Sequence, residues 1–450
     1  MPEPTPPPTP LPPGLPRAAA RWTWTAVAVG AFCVQLDAFA LNLALPVIRR
    51  DLPGPPALVP WVIGGYLLAA GALMPAAGRL GDLYGRRRVL AIGLALFATA
   101  AAGCALAPSL PLLVAARVVQ GAGGALIMPA GLALLTNAFP GGHGRRMTGR
   151  ALGLAGLATA CGPFAGGVLA QSLSWRAVFW LTVVPTVAAA CCARRATESR
   201  DPAAAGTPDL PGAAAVTGLC GCLALSVAGV APWAWAGGAV LLGAVFIRAE
   251  RRSRAPLVDL ALFRNGRYVR LTAAGAVANT ATVALLYVIP SALQQLYGLS
   301  PMSAGLAFLA PAAALAAGGP AAGRVRPEAS VPVMALCLAT AAVALWLTPR
   351  GGPHGPSPAT LLLVSTAAAA ALGVAGALAL TATQAAVRPD RAGEASGVTK
   401  AVLTITAGLG LTGSGNHPSL HLPAAACLVA AAALAASTAR KPPHPTTTAS

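Results

Sequence analysis

An all-α membrane protein, built as two six-helix bundles plus two extra central helices, is what this sequence predicts. Of its 450 residues 56% are hydrophobic and only 10% charged, against about 25% charged in soluble domains. So few charges cannot coat a water-facing surface, and the main solvent must be lipid. Apolar runs of membrane length recur fourteen times, and the segments between them hold nearly all the arginines. Short patterns in the first half return at corresponding places in the second, as parallel repeats do in transporters.

The elements follow in order. Residues 1–21 are a Pro-rich tail without a signal-peptide apolar core, expected to be disordered. A membrane-crossing helix needs about 20 apolar residues. Runs near 24–48, 58–78, 89–107, 111–137, 148–172 and 175–193 form a first bundle over 22–200. Runs at 211–230 and 232–249, joined by a tight Ala231-Pro232-Trp233 turn, form an insertion over 201–254. Runs at 270–293, 302–323, 330–348, 359–383, 395–414 and 419–438 form a second bundle over 255–438, and 439–450 is a second tail. Alanine and glycine dominate many spans, which suits close helix approach in lipid.

Arginine placement tests this count. With the N-terminus inside, the cytoplasmic segments carry Arg79, Arg86–Arg88, Arg145, Arg146, Arg150, Arg194, Arg195, Arg251, Arg252, Arg324, Arg388 and Arg391, among others. The outer loops hold only Arg49, Arg50, Arg176 and Arg350. That asymmetry places both termini in the cytoplasm of a multi-pass protein of the cell membrane. The net charge of +19 invites a nucleic-acid reading, but the arginines form no stripe with interleaved aromatics, so no nucleic-acid partner is expected. The nine cysteines lie in or beside apolar runs with no metal-ligand spacing and read as buried free thiols. Pro-Ala-Ala-Gly-Arg closes a span at 75–79 and again at 320–324; Gly121 and Gly124-Ala125-Leu126 are echoed by Gly373 and Gly376-Ala377-Leu378.

Five motifs in order then resemble the major facilitator superfamily, and within it the fourteen-span drug:proton antiporters of multidrug efflux type. Gly78-x-Leu80-x-Asp82-x-x-Gly85-Arg86-Arg87 resembles the loop motif, and Leu36-Asp37-Ala38-x-x-x-Asn42-x-Ala44-Leu45-Pro46 the first-span signature. Arg117-Val118-Val119-Gln120-Gly121-x-Gly123-Gly124 is similar to the fourth-span motif, and Gly162-Pro163-x-x-Gly166-Gly167, followed by Trp175-Arg176, to the fifth-span antiporter motif. Pro256–Phe263 matches the segment before the second half. The chain departs from the pattern at Ala38–Leu41, at Ala158, where a glycine is usual, and at Gly323-Arg324, which lacks an acid and so predicts no second latch. The resemblance implies the major facilitator fold and export of small amphipathic, antibiotic-like molecules in exchange for protons.

Single residues can be read for this chemistry. Asp37 is the only carboxylate well inside a span. Such a group costs about 2.5–3.5 kcal/mol on insertion scales and is functional by default. Burial favours the protonated form of a carboxyl group, as a proton carrier requires. Arg117 is the one arginine deep in a span. From helix rise, Asp37 sits roughly 20 Å from the inner face and Arg117 roughly 9 Å below the outer one, at similar depth in a core about 30 Å thick. Arg117 is expected to hold Asp37 ionised in one state and release it for protonation in the other; the alternative is an arginine snorkelling to the headgroups. Gly78, Asp82, Gly85 and Arg86 read as a conformational latch. Gly162-Pro163 is expected to break the fifth helix, with Gly166 and Gly167 allowing tight packing; family resemblance implies a seal against proton leak. Asn42, Asn279 and Tyr287 are the substrate-binding candidates, and neutral, zwitterionic or singly charged amphiphiles the expected cargo.

No metal cluster, Gly-x-Ser-x-Gly elbow or Walker loop supports an enzyme or an ATP-driven pump, and no ring of repeated polar groups supports a channel. No cofactor is expected beyond the proton gradient. The expected partners are a small-molecule substrate, protons and the lipid bilayer, with the chain a monomer. A proton-coupled symporter or a uniporter for a small nutrient is the alternative on the same fold.

Overall fold

The computed structural model describes residues 17–139, 142–200, 209–253, 256–348, 357–388, 391–413 and 420–439. Its helices are α1 (Arg17–Asp51), α2 (Val59–Tyr84), α3 (Arg86–Leu106), α4 (Leu110–Ala138), α5 (Gly142–Ser172), α6 (Arg176–Arg194), α7 (Leu210–Val227), α8 (Pro232–Arg252), α9 (Gly266–Gln295), α10 (Pro301–Ala307), α11 (Leu309–Ala322), α12 (Ser330–Trp346), α13 (Pro358–Ala385), α14 (Ala392–Gly413) and α15 (His421–Ala439). Among the described residues nine helices are long and apolar enough to cross a membrane, ten if α10 and α11 form one bent span. The helices α7, α12 and α15 are shorter apolar rods. Large apolar side chains such as Val184, Val240, Leu363 and Val429 are exposed, a surface suited to lipid rather than water.

Two boundaries move. Residues 17–21, expected in the tail, start α1, because Ala18–Ala20 and the flanking arginines are strong helix formers. Ala439 ends α15 rather than beginning a tail. The rest of both tails, and 201–208 of the insertion, lie outside the described residues. The run at 302–323 is bent by 42° between α10 and α11. Pro311 explains the place: lacking an N–H, it leaves the Ala307 carbonyl, four residues earlier, without its helical partner. All nine cysteines are free thiols, but Cys161 and Cys191 are exposed on the helix surface rather than buried.

The packing pattern repeats. In the first half α1 packs on α4, α5 and α6, α3 on α4 and α6, and α2 on α4. In the second α9 packs on α13, α14 and α15, α12 on α13 and α15, and α11 on α13. The halves meet along two seams, α2 on α14 and α5 on α10 and α11. The hairpin of α7 and α8 lies beside the first seam, α7 touching both α2 and α14. The repeated glycines explain themselves here. A Cβ on Gly121 of α4 would strike the Tyr66 carbonyl of α2, and one on Gly373 of α13 would strike the Leu315 carbonyl of α11. In both halves only glycine lets the two backbones touch.

Among the described residues the seams are closely packed toward one end and open toward the other. Call the end holding the α2–α3 turn and the starts of α1, α5 and α14 the arginine-rich end. Toward the opposite end, a Cβ on Gly71 would lie 2.7 Å from Ile405, one on Gly408 2.9 Å from Leu68, and one on Gly305 3.0 Å from the Pro163 carbonyl. Gln294 there donates to the Leu43 carbonyl across the halves. Stepping about 100° per residue, Gly149, Gly153 and Gly156 share the side of α5 that carries Pro163 and Gly167. Gly393 and Gly397 likewise share the side of α14 that carries Gly408. Yet nothing lies within 4 Å of a Cβ on any of these five. The helix faces that close the opposite end therefore stand apart at the arginine-rich end, leaving a cleft.

Candidate functional site

The polar centre of the first half lies between α1 and α4. Asp37 and Arg117 are both fully buried. Arg117 Nη1 donates to Asp37 Oδ2 at 2.5 Å and to Gln120 Oε1 at 2.6 Å. Gln120 Nε2 donates to the other carboxylate oxygen, Oδ1, at 3.0 Å. Arg117 Nε donates to the Val62 carbonyl at 2.8 Å, and the Tyr66 ring lies 4.4 Å from the guanidinium carbon. This is a closed arrangement: one negative and one positive charge, each hydrogen-bonded, in the apolar interior. It also accounts for two glycines of the fourth span. Gly121 accommodates the Tyr66 backbone, and a Cβ on Gly124 would sit 2.8 Å from the Tyr66 hydroxyl. Arg117 does not snorkel; its side chain is spent on α1 and α2.

Sequence reasoning gave Gln120 and Tyr66 no part in this pair. Gln120 stood within the motif and lies three residues after Arg117, hence on the same helix face; that spacing was the available signal. Tyr66 offered only its place in a span.

The loop motif forms a second constellation at the arginine-rich end. Arg86 donates through Nε and Nη2 to Asp82 Oδ1 at 3.1 and 2.7 Å. Between them Gly85 adopts φ 105°, and a Cβ there would fall 2.6 Å from the Glu198 carboxyl carbon. Glycine is thus required twice, by backbone conformation and by space. Glu198, just beyond α6, accepts from the Arg87 backbone N–H at 2.9 Å and lies 3.5 Å from Arg87 Nε. An acid at a helix N-terminus meets both unpaired N–H groups and the positive end of the dipole. Glu198 was not singled out in the sequence, because its partner is more than a hundred residues away. Gly78 has only Pro129 near its missing Cβ, at 3.9 Å; it faces the open part of the molecule.

The fifth-span motif corrects one expectation. α5 runs unbroken through Pro163. The single hydrogen bond that Pro163 removes is outweighed because α1 and α10 grip the backbone on either side. A Cβ on Gly162 would lie 2.8 Å from that of Phe39, one on Gly166 would overlap the Ala40 carbonyl, and one on Gly167 the Pro301 carbonyl.

The three substrate candidates are not gathered. Asn42 folds back on its own helix, donating to the Ala38 carbonyl at 2.9 Å. Tyr287 is buried in the apolar cluster of the sealed end, with Leu41, Leu45 and Val62. Asn279, half-buried, donates to the Leu403 carbonyl at 2.8 Å and ties α9 to α14. In this conformation all three serve packing.

The sequence pattern of the Major Facilitator Superfamily matches residues 27–411. The chain is 34% identical over 313 residues to the tetracenomycin C resistance and export protein of Streptomyces glaucescens, across 67% of this chain and 58% of that one. It therefore spans less than two thirds of that relative's length. It is 31% identical over 413 residues to the multidrug resistance protein Stp of Mycobacterium tuberculosis (strain CDC 1551 / Oshkosh), across 87% of this chain and 75% of that one. The crystal structure of the human organic anion transporter MFSD10 (TETRAN) superposes with a TM-score of 0.62 at 17% identity, covering 93% of this chain and 99% of that one. The last likeness concerns the fold alone.

Proposed function

Because the chain belongs to the major facilitator superfamily, we propose that it is a transporter, not an enzyme, that exports small amphipathic molecules across the cell membrane in exchange for protons. The fourteen helical rods, α10 and α11 counting as one, each cross the bilayer. By the positive-inside rule the arginine-rich end is cytoplasmic. The bundles over 22–200 and 255–438 then rock against each other, opening the site to either side in turn. The chain acts as a monomer without cofactor, driven by the proton gradient.

The observation that carries this reading is the buried Asp37–Arg117 pair with Gln120, in a molecule whose described helix faces stand apart at the arginine-rich end. A carboxylate held by Arg117 is a carboxylate that has given up its proton. In an exporter the proton leaves to the cytoplasm as cargo enters from it, and the paired state with the cleft open inward is that step. When the cleft opens outward, protonation of Asp37 frees Arg117 and resets the cycle. Two relatives lend support: one is named for resistance to and export of tetracenomycin C, the other for multidrug resistance.

The test is transport in inverted membrane vesicles with a proton gradient, acid inside, using a panel of polycyclic dyes of either sign of charge and of none. Antiport gives dye uptake together with proton exit. Movement of dye and protons in the same direction marks a symporter, and dye movement indifferent to the gradient marks a uniporter; either result rejects exchange.

The latch reading gives a separate expectation. Asp82 pairs only with Arg86 among the described residues, beside Gly78 on the open side. Closing the cleft brings the second half against this turn. Asp82→Asn should shift the balance between inward- and outward-open forms and slow turnover several-fold, while Glu198→Gln should loosen the start of α3 and lower the melting temperature. Unaltered turnover and thiol accessibility in Asp82→Asn would remove the latch.

A further inference from the structure

Lys400 stands in α14, eight residues from its start and so about 12 Å along it. It is one of two lysines in the chain. Its side chain is exposed, yet protein surrounds it at interior density, which places it in a cleft rather than on the outer surface. Among the described residues its ammonium has no hydrogen bond and no ion pair. Its direction is fixed by its helix. Thr399, one residue back, and Leu403 face α9, bonded to Tyr268 and Asn279, while Gly408 faces α2. Lys400 projects between these two directions, on the side shared with Thr404 and Leu411. Leu411 on that side packs with Leu41 and Val62 of the first half, so the side looks across to the other bundle. Toward the sealed end it is covered; at Lys400, Gly397 and Gly393 it is bare.

The charges nearby are already spent. Asp37 is matched by Arg117. Glu394, on α14 itself, accepts from the Asp259 backbone N–H at 2.9 Å, and Asp259 pairs with Arg391 at 2.6 Å. With the central pair neutral, Lys400 brings to the cleft a positive charge that no ion pair among the described residues meets. The fold keeps this ammonium beside Gly393 and Gly397, which leave open space next to it. We propose that Lys400 is the cargo-recognition cation of this transporter and that its preferred cargo is an anionic amphiphile, a carboxylate, sulfonate or acidic phenol on an apolar ring system. The inference rests on the export reading for what the cleft is for, and it adds the charge of what enters.

Equilibrium dialysis of the full-length protein in lipid nanodiscs tests it, with naphthalene-1-sulfonate and naphthalene-1-methylammonium as probes and empty nanodiscs as blank. The two share an apolar body and differ in the sign of charge. Wild type should bind the sulfonate about ten-fold or more tightly than the ammonium, the worth of one charge-assisted hydrogen bond. Lys400→Gln and Lys400→Met should both lose that preference, and Lys400→Arg should keep it. Lack of sulfonate preference in wild type, including failure to bind it, overturns the assignment, as does a preference surviving in both neutral variants. Dialysis needs no gradient. Loss of gradient-driven extrusion with charge preference intact would defeat the export reading alone, and intact extrusion without preference would defeat this one alone.

Discussion

Replacing Asp37 by Asn should stop gradient-driven transport and, in the same protein, lower its stability. The amide keeps the shape of the carboxyl group but not its charge. Arg117 would then remain fully buried among neutral partners, the amide oxygens, the Val62 carbonyl and the Tyr66 and Phe179 rings, with no negative charge beside it. Removing one member of a buried pair costs about 3–5 kcal/mol, because the other charge is left uncompensated. Asp37→Asn combined with Arg117→Gln removes both charges and should recover most of the melting temperature, yet it cannot recover coupling, since no group remains to carry the proton. Thermal melting in detergent and dye uptake into inverted vesicles, which reads extrusion from the cytoplasmic face, separate the two effects. Extrusion at wild-type rate in Asp37→Asn would end the proton-carrier assignment. Recovery of extrusion in the double variant would show that the pair is structural only.

Gly166→Leu should be the most damaging substitution in α5, and Gly149→Leu, on the same helix, one of the mildest for folding. At Gly166 even a single added carbon meets the Ala40 carbonyl, whereas at Gly149 there is nothing within 4 Å. Overpacking costs about 1–3 kcal/mol where side chains can give way, and more where they cannot; here the obstacle is backbone, so the upper end applies. The expected readout is loss of folded yield or a large fall in melting temperature for Gly166→Leu. Gly149→Leu should melt like wild type but turn over more slowly, because its side chain stands in the cleft that must close. Equal melting of the two variants would mean that the α1–α5 contact is not the close approach described here.

Much of this site was legible in the sequence because lipid makes polar residues conspicuous. Asp37 and Arg117 stood out as lone charges in apolar runs, and helix rise alone set them at similar depth. Gln120 carried the spacing signal but no charge, and Tyr66 looked like any aromatic in a span. Glu198 was hidden by sequence distance, and Lys400 by its place a few residues inside a span that begins with polar residues. The two prolines make the same point about the fold. Pro163 and Pro311 each remove one backbone hydrogen bond, yet α5 stays whole and the α10–α11 rod bends. Nothing local distinguishes them; a helix gripped between α1 and α10 has nowhere to bend.

What the sequence determined by itself was the solvent, the succession of apolar helices, the side on which arginines gather and the recurrence of one half in the other. These follow from how many charges a chain can place in lipid and at what interval, and both are countable along one dimension. Only the tertiary structure decided which helix faces meet. It paired Asp37 with Arg117 and Gln120, turned Asn42 and Asn279 to packing, set Glu198 on the start of α3 and left Lys400 alone in the cleft. An α-helix offers every direction around its axis, and which one a side chain uses is fixed by the neighbours that pack against it.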